Sequence, residues 1–313
     1  MTKYILRRLV MCLLVIISAA FVIFTIMYFI PGDPARDILG DGVPVEMLEA
    51  KREELGLNDS YLVQLGRFFS DVFLHFNLGK SYFTGMPITD ELVARLPRTI
   101  ALGVAGILID ALIAVPLGII AGLKVGKWQS TTLSVGAMVL ACLPDFWVAL
   151  MLIVVFTVKL GLLPSFGIGG IEYYIMPVIA ISVGGIGGEL RQTRSGMLDV
   201  MRADFVTTAR AKGVPERSVV LRHMLPNALI PVVTVIGASF SRVVGGTVII
   251  EQIFSIPGVG MYMLEAINTH NYPIVRGSVL ILAAMTSVTM LLVDLVYALI
   301  DPRIKASYSQ KRR

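Results

Sequence analysis

The sequence has few charged residues, two cysteines and three histidines. Charged side chains make up 16% of the 313 residues, whereas hydrophobic ones make up 56%. Cys12 and Cys142 both lie inside apolar stretches at unrelated positions, which argues against a disulfide framework and a structural metal site. We expect both to pack as small apolar side chains within helices.

Motifs for membrane-embedded hydrolysis and for nucleotide binding are also missing from the sequence. It contains neither His-Glu-x-x-His nor Gly-x-Ser-x-Gly, and His75, His223 and His270 all lie outside the long apolar stretches. No Gly-x-x-x-x-Gly-Lys-Ser/Thr phosphate loop occurs either. We therefore expect no enzyme activity, no cofactor and no bound metal. His270, at the outer end of the last apolar stretch, stays a candidate contact for cargo.

Apolar residues are gathered into blocks long enough to cross a membrane. A spanning helix needs about 20 mostly apolar residues, and the first block continues too far to be a cleaved signal peptide. A weaker block at Tyr174–Leu190 is diluted by four glycines. We predict an all-α membrane protein with about six transmembrane helices, of which the five plain ones are Leu9–Ile30, Thr99–Leu123, Thr131–Val158, Ala228–Ile250 and Gly277–Ile300.

The distribution of basic residues predicts the orientation, because Lys and Arg are held on the cytoplasmic side. With the amino terminus inside, 17 of the 27 Lys and Arg residues fall in cytoplasmic segments and 9 on the opposite face. Both termini are therefore predicted to be cytoplasmic. This bias also explains the net charge of +5 without a nucleic-acid partner.

The chain divides into four predicted segments. They are the amino terminus with the first helix at residues 1–30, an extracytoplasmic segment at 31–97, a five-helix core at 98–301 with a cytoplasmic loop at 191–227, and a basic cytoplasmic tail at 302–313.

The extracytoplasmic segment contains a predicted amphipathic helix. Asp59 or Ser60 is placed as its cap, and its apolar face follows from residues at helical spacing, Leu62, Leu65, Phe69, Val72, Phe73 and Phe76. Two interpretations stay open. The helix packs on the membrane or on the spans, or it forms a landing surface for an external partner.

Charged residues within or beside the spans are few, and each is costly in lipid. They are Asp110, Asp145, Glu189, Arg242 and Asp294. Asp145 follows Pro144 and is placed at a helix break. The other four either line a path or pair with one another. Structural pairing is favoured for Asp110 and Asp294, whereas the two alternatives are equally open for Glu189 and Arg242.

Glycine and proline interrupt the spans. Prolines that remove a backbone donor lie at Pro116, Pro144, Pro177 and Pro231. Small residues four positions apart, at Gly118 with Gly122 and at Gly184 with Gly188, predict close approach of neighbouring helices. A moving pathway and static packing both fit this pattern.

The longest cytoplasmic loop predicts a short helix, a turn and a second helix. Phe205–Ala211 is the first helical stretch, Gly213 supplies its stop, and Pro215 with Glu216 opens the next helix. The threonines and alanines of the first helix make a slim surface that suits helix-in-groove recognition by a soluble partner.

This loop resembles the docking loop of binding-protein-dependent ABC importer permeases. The general pattern is Glu-Ala-Ala, three residues and Gly, followed by an apolar residue and Leu-Pro. Here its places hold Thr207, Thr208, Ala209 and Gly213, then His223, Leu225 and Pro226.

The run Thr208–Gly213 is similar to that of the dipeptide, oligopeptide and nickel permeases. The likeness extends from Tyr4-Ile5-Leu6-Arg7-Arg8 through Pro31-Gly32-Asp33-Pro34 and Asn271-Tyr272-Pro273 to Asp301-Pro302-Arg303.

The resemblance implies a complex of this permease with a second homologous permease, two ATPase subunits and an extracytoplasmic substrate-binding protein in a bacterial cytoplasmic membrane. ATP and Mg²⁺ would reside on the ATPase subunits. Docking to them is assigned to Phe205, Thr207, Thr208, Ala209, Arg210, Ala211, Lys212 and Gly213. The possible translocation pathway is assigned to Glu189, Arg242, Glu251 and His270.

Small peptides are the first choice of cargo within this family. Nickel, a metal chelate and a glutathione-like compound are the alternatives. An ion-coupled secondary transporter is a further rival, but it predicts inverted repeats in the two halves of the chain, and no convincing repeat is seen.

Overall fold

The structure, a computed structural model, describes residues 2–300, apart from the side chains at 2–4, 234, 241–244, 246 and 296–300. The predicted basic tail at 302–313 therefore lies outside the described residues. Within the described range the chain forms helices and no strand. The helices are α1 (Thr2–Phe29), α2 (Pro34–Leu39), α3 (Val45–Glu54), α4 (Tyr61–Phe73), α5 (Ile88–Leu123), α6 (Trp128–Cys142), α7 (Asp145–Leu152), α8 (Glu172–Met201), α9 (Asp204–Ala211), α10 (Glu216–Ser218), α11 (Leu225–Ile253), α12 (Val259–Asn268) and α13 (Tyr272–Ile300), with π-helical turns at Ile153–Lys159 and Val219–Met224.

Five helical stretches are long and apolar enough to cross a membrane, and a bent pair supplies a sixth candidate. The prediction of an all-α protein with about six spans is confirmed. Several helices run further than the apolar blocks did: α1 begins at Thr2 and α5 at Ile88. The number of consecutive apolar residues locates the part of a helix that lies in the hydrocarbon core of the bilayer. The backbone hydrogen bonds of the helix continue beyond that part into the polar flanking residues.

The predicted span Thr131–Val158 is broken in the structure. Helices α6 and α7 meet at 95°, and Leu143 between them has an extended backbone with φ −79° and ψ 124°. Pro144 follows and has no N–H to continue the α6 hydrogen-bond ladder. Asp145 is the first residue of α7, so its predicted position at a helix break is confirmed.

One compact unit consists of residues 100–256 together with residues 2–6 and 288–300. In it, α8 packs against α6, α7 and α11. Its largest buried cluster joins α5, α7, α8 and the end of α11 through apolar side chains, among them Leu102, Val148, Met176, Ile181, Ile250 and Phe254. The loop predicted to be cytoplasmic belongs to this unit and packs on α8 and α11, the helices that it connects.

Glycines in this unit mark close helix contacts, but not always at the predicted positions. A methyl group at Gly118 would lie 2.5 Å from Thr193 Cβ, and one at Gly122 would lie 2.6 Å from Met197 Cβ. This pair brings α5 against α8, as predicted. The prediction of a close helix contact at Gly188 is wrong, because this residue faces open space. Its neighbour Gly187 is the glycine that packs against α6.

The other compact unit consists of residues 7–99 and 257–287. Its core is formed by α1, the start of α5, α12 and the start of α13, with Ile88, Leu92 and Val259 fully buried. Asn271 joins two of its segments, since its side-chain amide donates to Ser81 Oγ over 2.9 Å and its Oδ1 accepts from the Tyr82 N–H over 3.2 Å.

The predicted amphipathic helix of this unit is present as α4. It begins after Ser60, whose side chain forms no capping hydrogen bond, and it ends at Phe73. The inclusion of Phe76 in the helix was wrong, because this residue has a φ of 51°. Phe68 stacks on Phe24 of α1 at 5.3 Å between ring centroids. Packing on a span is therefore observed along one edge, while Leu62 is 74% exposed.

Candidate functional site

The loop helix α9 is stopped by a glycine, as the sequence predicted. Gly213 has a φ of 73°, its N–H donates to the Arg210 carbonyl, and the Val214 N–H donates to the Ala209 carbonyl. These two bonds form a Schellman motif, which favours glycine because it has no Cβ. Arg210 also pairs with Glu216 at 2.6 Å, so the end of α9 is tied to the start of α10.

One side of α9 is buried against the rest of its own unit. Val206 and Ala209 are 0% and 7% exposed. They pack in a cluster with residues from α8, the π-helical turn and α11, namely Met197, Val219, Met224 and Ala228. Ala209 was assigned to the docking set, but in this structure its side chain faces into the chain. A sequence pattern at the loop surface does not reveal which side of a short helix the spans cover.

The opposite side of α9 is open to solvent. It presents an aromatic ring, two hydroxyls and two cationic side chains on one short helix. The exposed members of the predicted docking set are Phe205, Thr207, Thr208, Arg210, Ala211, Lys212 and Gly213. Phe205 is the large apolar side chain of this exposed side and is 44% exposed.

A cavity of about 450 Å³ lies within the same unit, at the break between α6 and α7. Glu189, which is 1% exposed, lies on its wall and accepts a hydrogen bond from Ser239 Oγ at 3.1 Å. Asp145 and Arg191 also line it, as do Gly184 and Gly188. Glycines on the wall leave space beside the acidic side chains, which a larger residue would fill.

Two other residues assigned to the pathway, Glu251 and His270, do not line this cavity among the described residues. Glu251 is 0% exposed on α11 and is not part of the cavity wall. The side chain of Arg242 lies outside the described residues. His270 belongs to the other unit, where its Nδ1 lies 2.9 Å from Asp37 Oδ2. The assignments of Glu251, Arg242 and His270 to the pathway stay predictions.

Sequence reasoning missed Ser239 and Arg191 as members of the cavity wall. Ser239 is a small polar residue in an apolar stretch, and such residues are common in membrane helices without any role in transport. Arg191 was considered only as one of the basic residues that predict the orientation. A positional signal existed for Asp145, which follows the proline at the helix break.

The fold and this arrangement define a class, a polytopic helical membrane subunit with a cavity lined by Glu189 and Asp145 and with an exposed loop helix. The chain belongs to the family described as the binding-protein-dependent transport system inner membrane component, whose model matches residues 114–306. A second model, for the amino-terminal part of such components, matches residues 1–103.

Curated relatives cover nearly the whole chain. A putative peptide transport system permease of Brucella abortus is 39% identical, and the match spans 97% of this chain and 99% of the relative. The dipeptide transport system permease DppB of Alkalihalophilus pseudofirmus is 36% identical over 97% of this chain and 100% of the relative. The glutathione transport system permease GsiC of Salmonella paratyphi A is 32% identical over 97% and 99%.

Solved structures support the fold. An inward-facing structure of the MetNI methionine ABC transporter aligns with a TM-score of 0.55 at 17% identity, covering 67% of this chain and 96% of that chain. A second crystal form gives 0.57 at 16%. The chain is thus a multi-pass inner-membrane permease of an ABC importer, which works with ATPase and substrate-binding partners and is not itself an enzyme.

Proposed function

We propose that this chain is the translocation subunit of an importer of short peptides. The observation that carries the proposal is the match over nearly the full length to relatives named as peptide and dipeptide permeases, at 39% and 36% identity. Glutathione, itself a small peptide, is the second candidate because a relative of equal coverage is named for its transport.

The proposed assembly pairs this permease with a second homologous permease and two ATPase subunits. The ATPase subunits hold ATP and Mg²⁺, and an extracytoplasmic protein delivers the cargo. The exposed side of α9 enters a groove on one ATPase subunit, in the helix-in-groove mode. Its buried side, through Val206 and Ala209, transmits the nucleotide-driven motion to α8 and α11.

The cavity around Glu189 is the proposed element of the pathway. An ionisable side chain buried within a membrane span is expensive and is found mainly where it faces a cavity or a polar partner. Glu189 meets both conditions through the cavity wall and through Ser239. The break between α6 and α7 leaves irregular backbone beside this cavity, where such backbone is tolerated within a membrane.

Peptide uptake tests this function directly. We expect proteoliposomes that contain the complete complex and its binding protein to accumulate a labelled dipeptide only when ATP is inside with the ATPase subunits. Exchange of the binding protein for a relative with different cargo should change the imported compound while this chain is kept. Uptake of nickel or a metal chelate but not of peptides would overturn the proposed cargo, and uptake driven by an ion gradient without ATP would overturn the mechanism.

The proposed orientation places residues 31–97 outside and α9 inside. In a background without Cys12 and Cys142, we expect Glu53→Cys and Lys212→Cys to react with an impermeant thiol reagent from opposite sides of the membrane. Both positions are exposed, so burial does not prevent labelling. The matched control is labelling after the membrane is opened with detergent, when both cysteines should react. Modification of both from one side of intact vesicles would contradict the orientation.

A further inference from the structure

A second cavity, of about 420 Å³, lies within the unit formed by residues 7–99 and 257–287. It is bounded by the outer end of α1, by the segment that follows it and by the first turn of α13. Polar and aromatic side chains share its wall, including Phe24, Asp33, Arg52, Tyr82, Tyr272 and Arg276. None of these residues belongs to the cavity around Glu189.

Arg276 is the cation of this cavity. Its guanidinium lies over the rings of Phe24 and Phe68, at 5.5 and 5.1 Å from the ring centroids, and beside the hydroxyl of Tyr82. Within residues 2–300 as described, no carboxylate lies within 4.0 Å of it. Its Nε is buried and has no hydrogen-bond partner in the described structure. Aromatic stacking holds the guanidinium in place but leaves this donor unused.

Tyr272 supplies a second unused polar group. Its hydroxyl is also buried without a hydrogen-bond partner among the described residues. Tyr272 and Arg276 are four residues apart on α13, so they lie on the same side of the helix. Gly32 leaves space for the hydroxyl, because a methyl group at Gly32 would lie 2.8 Å from Tyr272 Oη. Buried polar groups are rarely left unsatisfied, so this pair points to a missing acceptor.

The charge of the wall favours an anion. Asp33 and Arg52 pair at 2.6 Å, and the hydrogen bond from Arg52 lowers the pKa of Asp33, which keeps this carboxyl ionised at neutral pH. Asp33 also caps α2 by accepting from the Ala35 N–H at 3.2 Å. Arg52 also pairs with Glu49 at 2.6 Å, so the charge of Arg52 is fully compensated by these neighbours. Arg276 is then the uncompensated charge among these three ionic groups of the wall.

We propose that this cavity binds the carboxylate of a small organic ligand through Arg276 and Tyr272. The guanidinium fork matches a carboxylate in geometry, and such charge-assisted hydrogen bonds are among the stronger ones in proteins. The Tyr272 hydroxyl donates to the same group, and Phe24, Met27 and Ile30 offer apolar surface to the body of the ligand. The choice of a short peptide as that ligand rests on the proposed function, whereas the carboxylate chemistry does not.

Ligand-observed NMR on the full chain in nanodiscs tests this site without any transport. Saturation transfer detects weak binding, and the probes are alanyl-alanine and its carboxyl-terminal amide. We expect the dipeptide to bind and the amide to bind at least about tenfold more weakly, because a charged hydrogen-bonding group has been removed. Arg276→Met keeps the apolar stem and should weaken dipeptide binding by a similar factor. Tyr272→Phe, which removes one hydroxyl, should weaken it less.

The control variant is Arg36→Gln, which removes an exposed cation from α2 in the same unit. It should bind the dipeptide as the native chain does. Absence of dipeptide binding, equal binding of acid and amide, or native binding by both Arg276→Met and Tyr272→Phe would each overturn the site. If Arg276→Met fails to fold, Tyr272→Phe alone decides the matter.

Lipid provides the remaining source of an anion. Nanodiscs of phosphatidylcholine alone and nanodiscs that also contain phosphatidylglycerol should give the same dipeptide binding. Loss of binding in the presence of phosphatidylglycerol would mean that a lipid phosphate occupies the cavity, which overturns the proposal. Peptide uptake tests the proposed function, and this binding assay tests the carboxylate site. The two results are independent, because a permease that moves other cargo can still bind the carboxylate probe.

Discussion

Replacement of Phe205 by alanine should detach the ATPase subunits while the permease stays folded in the membrane. Phe205 is 44% exposed at the start of α9 and is the large apolar side chain on the exposed side of that helix. Loss of an aromatic residue that anchors an interface typically costs ~2 kcal/mol or more, which is roughly 30-fold in affinity. The measurement is the amount of ATPase subunit that co-purifies, together with ATP-driven uptake.

The matched control for Phe205→Ala is Arg217→Ala. Arg217 is an exposed residue of α10 in the same loop, and its truncation should leave co-purification and uptake unchanged. Normal ATPase binding by Phe205→Ala would show that the exposed side of α9 is not the docking surface. Equal loss in both variants would mean that the loop responds to any truncation.

Ala209→Asp should act by a different route from Phe205→Ala. Ala209 is 7% exposed and packs among Val206, Val219 and Met224, so an aspartate there buries an uncompensated charge at a cost of several kcal/mol. We expect α9 to detach from α8 and α11, which limited proteolysis of the loop detects. Under the same proteolysis Phe205→Ala should resist like the native chain, which separates lost docking from lost folding.

Replacement of Glu189 by glutamine should abolish most transport while the ATPase subunits stay bound. Glutamine has nearly the size of glutamate and still accepts the hydrogen bond from Ser239, so the substitution removes the charge with little change in the shape of the cavity. If that charge contacts cargo or drives a rearrangement of the path, its removal is expected to reduce uptake by about tenfold or more, since hydrogen bonds to charged groups contribute about 1.5–3 kcal/mol.

The matched control for Glu189→Gln lies on the same helix. Glu172 is an exposed acid in the first turn of α8, and Glu172→Gln should transport at the native rate. Ser239→Ala removes the donor to Glu189 and should have an intermediate effect. Native uptake by Glu189→Gln would contradict the assignment of this cavity to the pathway and leave it a structural polar contact.

The helix and turn in the loop between α8 and α11 were predictable to within a residue. The sequence placed the first helix at Phe205–Ala211 and the stop at Gly213, and the structure has Asp204–Ala211 with Gly213 at a φ of 73°. A glycine stop depends on the local backbone, which neighbouring residues specify. Whether Ala209 faces inward was not predictable, because that depends on Val219 and Met224 after the turn.

The bend between α6 and α7 shows a different limit. Pro144 predicted a break in the helix. A proline removes one hydrogen-bond donor and introduces a steric clash, but it does not specify the angle between the two helices. The 95° angle arises with packing, since α7 then lies against both α8 and α11. A continuous span from Thr131 to Val158 satisfied every local criterion of length and hydropathy.

Sequence by itself determined which segments enter the bilayer and which family the chain resembles. The first follows because the transfer of apolar residues depends on their number and not on their neighbours. Tertiary structure alone decided which glycine packs against a helix and which one lines a cavity. Gly187 packs against α6 and Gly188 lines the cavity, although they are neighbours in the sequence and differ only by about 100° around the axis of α8. It also decided that Arg276 lies over the rings of Phe24 and Phe68, which are distant in the sequence, and that Tyr272 lines the same cavity as Phe24. Contacts of this kind depend on how helices pack against one another, which no local pattern specifies.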